Sequence, residues 1–305
     1  MAGEQRLARP KVKNGMRSFA VLLLGMAAMD VPVQTLAHEL PLIIGHRGAS
    51  HAAPENTLAA FRLAWQEGAD GIEGDFHLSA DGHIVCIHDS DTRRTTGQVL
   101  QVAEVRWEQL AKLDAGSWKS PRFADQTLPQ LADVLATLPS AHEHAPSPVR
   151  GKIYIEVKCG AEIVPALKQT LEQSGIQMER VAVISFDEEV IAATKRVLPQ
   201  VTANWLTDFK EQPDGSWLPT PATIVATLTR LGADGVGVGA RRGALTPQLA
   251  QALHQGHFGF HVWTVDDADL ARHLIELGVD SLTTNRPGEL RKALQSKQEF
   301  TQPKR

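Results

Sequence analysis

From Pro41 onward, short apolar runs rich in β-branched residues alternate with amphipathic segments of helical length. Runs of that kind mark strands, and apolar positions three and four apart mark the buried face of a helix. The runs predict strands at 42–45, 71–76, 152–157, 181–186, 202–206, 235–239, 260–265 and 281–284. Helices are predicted at 56–66, 131–138, 162–173, 188–197, 222–231, 247–254 and 267–277, with Gly68, Pro139, Gly175, Pro199, Gly232, Gly256 and Gly278 as their stops. The last three glycines suit the left-handed position just past a helix end, and Thr246 suits an N-cap. Repeated β-α units build a parallel sheet. Eight of them predict a closed (β/α)8 TIM barrel, an α/β fold without a sheet edge, and an open doubly wound sheet is the structural alternative.

Two segments break the rhythm. The run 84–88 follows the turn dipeptide Asp81-Gly82, so it is expected to fold back beside the second strand as a hairpin. The stretch 92–127 has no clear βα period and reads as a long excursion over one barrel mouth, a lid or substrate wall. Residues 142–148 have the Pro and Ser content of an exposed connector, and the chain after Leu294 reads as a frayed polar tail.

The N-terminus changes the picture of location. A basic stretch (Arg6, Arg9, Lys11, Lys13, Arg17) precedes the apolar run 19–29, and a polar-tinged segment ends at Ala37. That order matches a signal peptide cleaved after Ala37, which implies export; a tail on a cytoplasmic enzyme is the alternative. The apolar run is shorter than the ~20 residues of a spanning helix, so no stable membrane insertion of the mature protein is expected. The expected division is a leader or tail at 1–37, a catalytic barrel at 38–295 and a polar tail at 296–305.

Composition narrows the function classes. With 43% hydrophobic and 22% charged residues the chain can bury a sizeable core, and a formal net charge of -4 gives no drive toward nucleic acid. Cys86 and Cys159 sit in apolar runs and read as buried small hydrophobes, not as a disulfide or a thiolate metal site.

The chemistry gathers at strand ends. Gly45-His46-Arg47-Gly48 follows the first strand, and Pro54-Glu55-Asn56-Thr57 opens the next helix; the C-terminal rim of a barrel is where active sites of this fold lie. Glu73 and Asp75, two apart on a strand, project to one face, and two adjacent carboxylates call for a cation between them. Glu156 and Lys158 repeat the device on the next long strand, and His88 ends the hairpin strand near the same rim. Each pair alone reads as ordinary surface or hydrogen-bonding polarity; together they read as a phosphodiester site. Hard oxygen ligands favour Mg2+ or Ca2+, with Mn2+ a further option. Arg47 and Lys158 would offset phosphoryl charge, and the two imidazoles would exchange protons near neutral pH.

The string HRGASHAAPENTLAAFRLAWQEGADGIEGDFHLSADGHIVCIHD resembles the signature region of the glycerophosphodiester phosphodiesterase family. YIEVK is similar to that family's later acidic motif, and HVWTVDD with GVDSLTTNRP to its C-terminal strands, so the likeness spans about residues 41 to 290. The resemblance implies a phospholipase-C-like (β/α)8 barrel that hydrolyses small glycerophosphodiesters to glycerol 3-phosphate and an alcohol, using one divalent cation. It places acid-base roles on His46 and His88, metal ligation on Glu73, Asp75 and Glu156, and phosphate binding on Arg47 and Lys158. It puts Glu55 behind Arg47 or His46 as a support, and Trp263 against the glycerol or alcohol moiety; plain barrel packing is the other reading of Trp263. Ser281-Leu282 and Asn285-Arg286 depart from the family pattern, which bears on substrate preference. His77, in step with Glu73 and Asp75, is a further candidate to face the site. A lysophospholipase D acting on lipids is the alternative enzyme, and it calls for an apolar collar that Trp107 and Trp118 could supply. A non-catalytic barrel that captures phosphorylated ligands is disfavoured because no expected catalytic residue is missing. Nothing in the sequence sets the oligomeric state.

Overall fold

The computed structural model describes Met1, residues 40–139 and residues 151–298. Apart from Met1, the leader expected at 1–37 lies outside the described residues, as do the connector expected at 142–148 and the end of the polar tail.

Among the described residues, eleven strands follow in chain order: β1 (Leu42–His46), β2 (Gly71–Leu78), β3 (Ile84–Cys86), β4 (Lys152–Val157), β5 (Val181–Ser185), β6 (Thr202–Thr207), β7 (Lys210–Glu211), β8 (Trp217–Leu218), β9 (Gly235–Gly239), β10 (Gly259–Trp263) and β11 (Ser281–Thr284). Eight of them pair in parallel in the order β1-β2-β4-β5-β6-β9-β10-β11, and β11 returns to β1, so the sheet closes into a barrel. The open-sheet alternative is therefore excluded. The hairpin strand β3 pairs antiparallel with β2, as the Asp81-Gly82 turn predicts.

Helices α1 (Leu58–Gln66), α2 (Arg93–Thr96), α3 (Trp107–Leu110), α4 (Leu131–Leu135), α5 (Val164–Ser174), α6 (Glu188–Val197), α7 (Pro221–Leu231), α8 (Pro247–Gln255), α9 (Ala268–Glu276) and α10 (Pro287–Gln298) follow the strands. Side-chain oxygens of Thr57, Asp187, Thr220, Thr246 and Asp267 cap α1, α6, α7, α8 and α9 by accepting from first-turn amides.

Strand side chains alternate between two shells. On β4, Ile153 and Ile155 join Phe61 of α1, Phe76 of β2 and Leu167 of α5 in the layer between barrel and helices. Tyr154 instead joins Ile44, Ala182, Ile184 and Leu206 in a cluster that fills the barrel. Fully burying each isoleucine, leucine or phenylalanine among them contributes ~1.5–3 kcal/mol. On β9, Gly-Val-Gly-Val-Gly sends its valines into the outer shell. Its glycines leave the interior to others: a Cβ on Gly237 would lie 2.5 Å from Leu206 Cδ2 and 3.5 Å from Trp263 Cδ1.

The structure departs from the sequence expectations in five places. The first helix starts at Leu58 rather than residue 56, because Asn56 takes a left-handed φ of 57°. The hairpin strand ends at Cys86, so His88 stands just beyond it. Gly256 closes α8 with φ −80°, not in the left-handed region. Leu290 and Leu294, one turn apart and buried, carry α10 through to Gln298 where a frayed end was expected. The small β7–β8 hairpin was not foreseen; Gly215, at φ 81°, lies in the turn between its strands. The excursion after β3 has its own small core, with Val102, Leu110, Leu113 and Leu128 packed on Val85 and Ile87.

Candidate active site

Parallel pairing brings the rim residues together. His46 pairs with Glu73 across β1 and β2, and Asp75 pairs with Glu156 across β2 and β4. Beyond β1 the chain turns sharply through Arg47 (φ 55°) and Gly48 (φ 80°). A Cβ at Gly48 would lie 2.4 Å from the Ala60 carbonyl carbon, so only glycine fits there. A left-handed arginine costs roughly 1–3 kcal/mol, and here the turn aims its amide at Glu73 Oε2, 2.8 Å away. The Arg47 guanidinium reaches two more acids: Nη1 donates to Glu55 Oε1 at 2.8 Å, and Nε ion-pairs with Asp75 Oδ2 at 3.0 Å without hydrogen-bond alignment.

Glu73, Asp75 and Glu156 are buried, and each offers a carboxylate oxygen within 4.8 Å of the others. Lys158 Nζ donates to Glu156 Oε1 at 2.7 Å and lies 3.5 Å from Asp75 Oδ1. Burial, with Asp75 and Glu156 close by, drives the Glu73 carboxyl well above the ordinary range. Glu156 rises too, from burial and the neighbouring Asp75. Burial would raise Asp75 as well, but Arg47 and Lys158 outweigh it and hold this carboxyl below its usual value. Three acids therefore face two cations, and Glu73 Oε1 and Asp75 Oδ1 are buried without a hydrogen-bond donor. Buried oxygens left that way are costly unless a cation meets them. The donor set thus fits a divalent ion.

Both imidazoles are oriented from behind. His46 Nδ1 is 2.7 Å from Asn285 Oδ1, and Asn285 Nδ2 donates to Asp266 Oδ2 at 2.7 Å. An acceptor at Nδ1 fixes the proton there and leaves Nε2 as the basic nitrogen. Burial and the Arg47 charge lower the His46 pKa, so the ring is neutral at pH 7. His88 Nδ1 donates to Asp89 Oδ1 at 2.7 Å. Burial opposes ionisation of Asp89, but hydrogen bonds from Arg94 and His88 hold its pKa down at about 2. Arg94 also donates twice to Glu55, at 2.8 Å each, which links the His88 support to the Arg47 support.

These groups surround a cavity of about 250 Å3. His46, Arg47, Glu73, His88, Glu156 and Lys158 form its polar side, and Ile184, Phe186, Leu206 and Trp263 the other. Phe186 meets Trp263 edge-on at 5.6 Å between ring centres. A larger cavity, about 690 Å3, lies on the barrel flank by Leu135, Ala166 and Arg180 and contains none of these residues. Glu55 stands behind the cavity, on Arg47. His77 does not join the acid cluster; its Nε2 lies 3.1 Å from the His88 carbonyl oxygen. The sequence reading missed Asn56, Asp89, Arg94, Asp266 and the support given by Asn285. Asn56 donates to Asp75 Oδ2 at 2.8 Å and accepts the Asp75 amide, which explains its left-handed backbone. Phe186 was also missed, although its place at a strand end was legible.

A model described as the glycerophosphoryl diester phosphodiesterase family matches residues 46–289. A probable glycerophosphodiester phosphodiesterase 1 of Mycobacterium tuberculosis is 30% identical, over 81% of this chain and 90% of the relative. A glycerophosphodiester phosphodiesterase of Caldanaerobacter subterraneus is 29% identical, over 82% and 96%. Among solved structures, an Oleispira antarctica phosphodiesterase in complex with the product sn-glycerol-3-phosphate superposes with a TM-score of 0.72 at 26% identity, covering 84% of this chain and 97% of that one.

Proposed function

The chain belongs to the glycerophosphoryl diester phosphodiesterase family and hydrolyses glycerophosphodiesters to sn-glycerol 3-phosphate and an alcohol, and from that premise we propose how its residues divide the work. Glu73, Asp75 and Glu156 would hold one divalent ion, Mg2+ or Ca2+, which when bound would supply positive charge to the phosphoryl group. Arg47 and Lys158 complete the cationic ring around the phosphoryl group, fixed in place before the substrate arrives. Neutral His46 takes the proton of the attacking oxygen as the new P–O bond forms. His88, held by Asp89, gives its proton to the alcohol oxygen as the old P–O bond breaks. Trp263 and Phe186 wall the cavity against the carbon skeleton of the glycerol.

One observation carries this reading: Glu73, with a buried carboxylate oxygen that has no donor, shares a single cavity with Glu156 and two imidazoles oriented from behind. Purified protein with Mg2+ or Ca2+ should release glycerol 3-phosphate from glycerophosphocholine or a related diester. His46→Ala or His88→Ala should cut turnover roughly 10²–10⁴-fold with the circular dichroism spectrum preserved. Release from no headgroup, or substantial turnover by either variant, defeats the assignment. Of the two tryptophans that the lipid-cleaving alternative calls on for a collar, Trp107 packs beside His83 and the small core of the excursion, and only Trp118 lies beside the site.

The basic stretch and apolar run before Ala37 support export of the mature chain. N-terminal sequencing of the protein from its native cells should begin at His38, and an intact N-terminus would remove that reading.

A further inference from the structure

A second cavity, about 280 Å3, meets the first at His46 and Arg47. A phosphodiester has two arms, and the residues shared by two cavities are where its phosphoryl group must sit. The glycerol arm is common to every substrate and suits the built interior between Trp263 and the acids. The variable arm then falls in the second cavity, whose outer wall is Trp118 and Lys119. Both are exposed residues of the excursion.

That wall is fixed. Trp118 Nε1 donates to the Ala115 carbonyl at 2.8 Å, and Lys119 Nζ, 5.7 Å from the Trp118 ring centre, donates to the Ser50 carbonyl at 2.9 Å. Arg122 and Gln126 tie the same stretch to Ala52 and Ala59, on either side of the turn that opens α1.

The charges here are unevenly committed. Both oxygens of Glu55 are taken by Arg47 and Arg94. Both oxygens of Asp266 are taken by Thr284 and Asn285. Lys119, by contrast, has a single neutral carbonyl as partner and no carboxylate among the described residues. An arriving group therefore meets an ammonium that no carboxylate among the described residues neutralises, and acids already saturated.

We propose that this second cavity is the subsite for the leaving alcohol and that it takes hydroxyl-rich alcohols without positive charge in preference to ammonium alcohols. The inference rests on glycerophosphodiester hydrolysis at His46. Hydroxyl oxygens can accept from Lys119, whereas a choline or ethanolamine headgroup is repelled by it.

The test compares kcat/KM for glycerophosphoglycerol and glycerophosphocholine, with the methyl ester of glycerol 3-phosphate as a substrate too small to reach the second cavity. Wild-type protein should hydrolyse all three and prefer glycerophosphoglycerol to glycerophosphocholine. Lys119→Glu should lower the first and raise the second, moving their ratio roughly tenfold; opposite changes on two substrates cannot arise from misfolding. Trp118→Ala should raise KM for glycerophosphoglycerol more than it lowers kcat. If the methyl ester is left intact, the hydrolytic reading fails and the subsite with it. If the methyl ester is turned over but wild-type protein shows no preference, or the ratio ignores Lys119→Glu, the subsite alone is refuted.

Discussion

Arg94 touches neither the acid cluster nor the main cavity, yet it grips Asp89 through Nε at 2.7 Å and Glu55 through both terminal nitrogens. It thereby holds the partner of His88 and the partner of Arg47 in one frame. Arg94→Ala should lower kcat roughly tenfold with little change in KM, since positioning acts on the chemical step more than on binding. Arg94→Lys should not restore it, because an ammonium cannot reproduce two forked contacts; full activity in either variant would remove the positioning role. His261 offers a residue-scale effect on stability. It stands inside the barrel, edge-on to Tyr154, with Nδ1 2.8 Å from Ser281 Oγ, and burial pushes its pKa down to about 4. The folded value lies below the unfolded one of ~6.5, so its contribution is complete above that pH and is lost as pH falls toward 4. Melting temperature should decline across that window, and less steeply in His261→Asn. The acids of the site were legible because spacing of two on a strand fixes a shared face. Asn56, Asp89 and Asn285 were not, because a lone amide or acid shows its partner only after folding; Asn285 meets a histidine 239 positions away.

At the scale of elements, β9 shows how an empty position shapes the cavity. Gly237 leaves the space that Leu206 and Trp263 use, and a methyl there meets a movable leucine branch rather than backbone. Gly237→Ala should cost ~1–3 kcal/mol by overpacking and raise KM as Trp263 shifts; unchanged melting temperature and KM would show the space to be slack. The eight barrel strands and the long helices were readable because each repeats its period often enough to stand out. The pieces that escaped are short: β7 and β8 have two residues each, and α2 and α3 four. Elements of that length complete barely one period, and their positions are set by the small core beneath the excursion and by the barrel rim.

For the molecule as a whole, the acid cluster ties folding to a cation. With three buried carboxylates and two cations, the folded chain would offer an ion a site that the unfolded chain does not assemble. Free Mg2+ or Ca2+ at a hundredfold over its Kd should stabilise the fold by ~2.7 kcal/mol, read as a rise in melting temperature that a chelator reverses. The rise should shrink in Glu73→Gln; a melting temperature indifferent to both ions would argue against the site. Closure of the barrel by β11 on β1 has a further consequence, for synthesis. Both imidazoles leave the ribosome well before the strand whose end carries Asn285, which lies 239 positions after His46. A nascent or truncated chain therefore holds His88 with its Asp89 partner but His46 without the amide that aims it, and turnover should await the docking of β11.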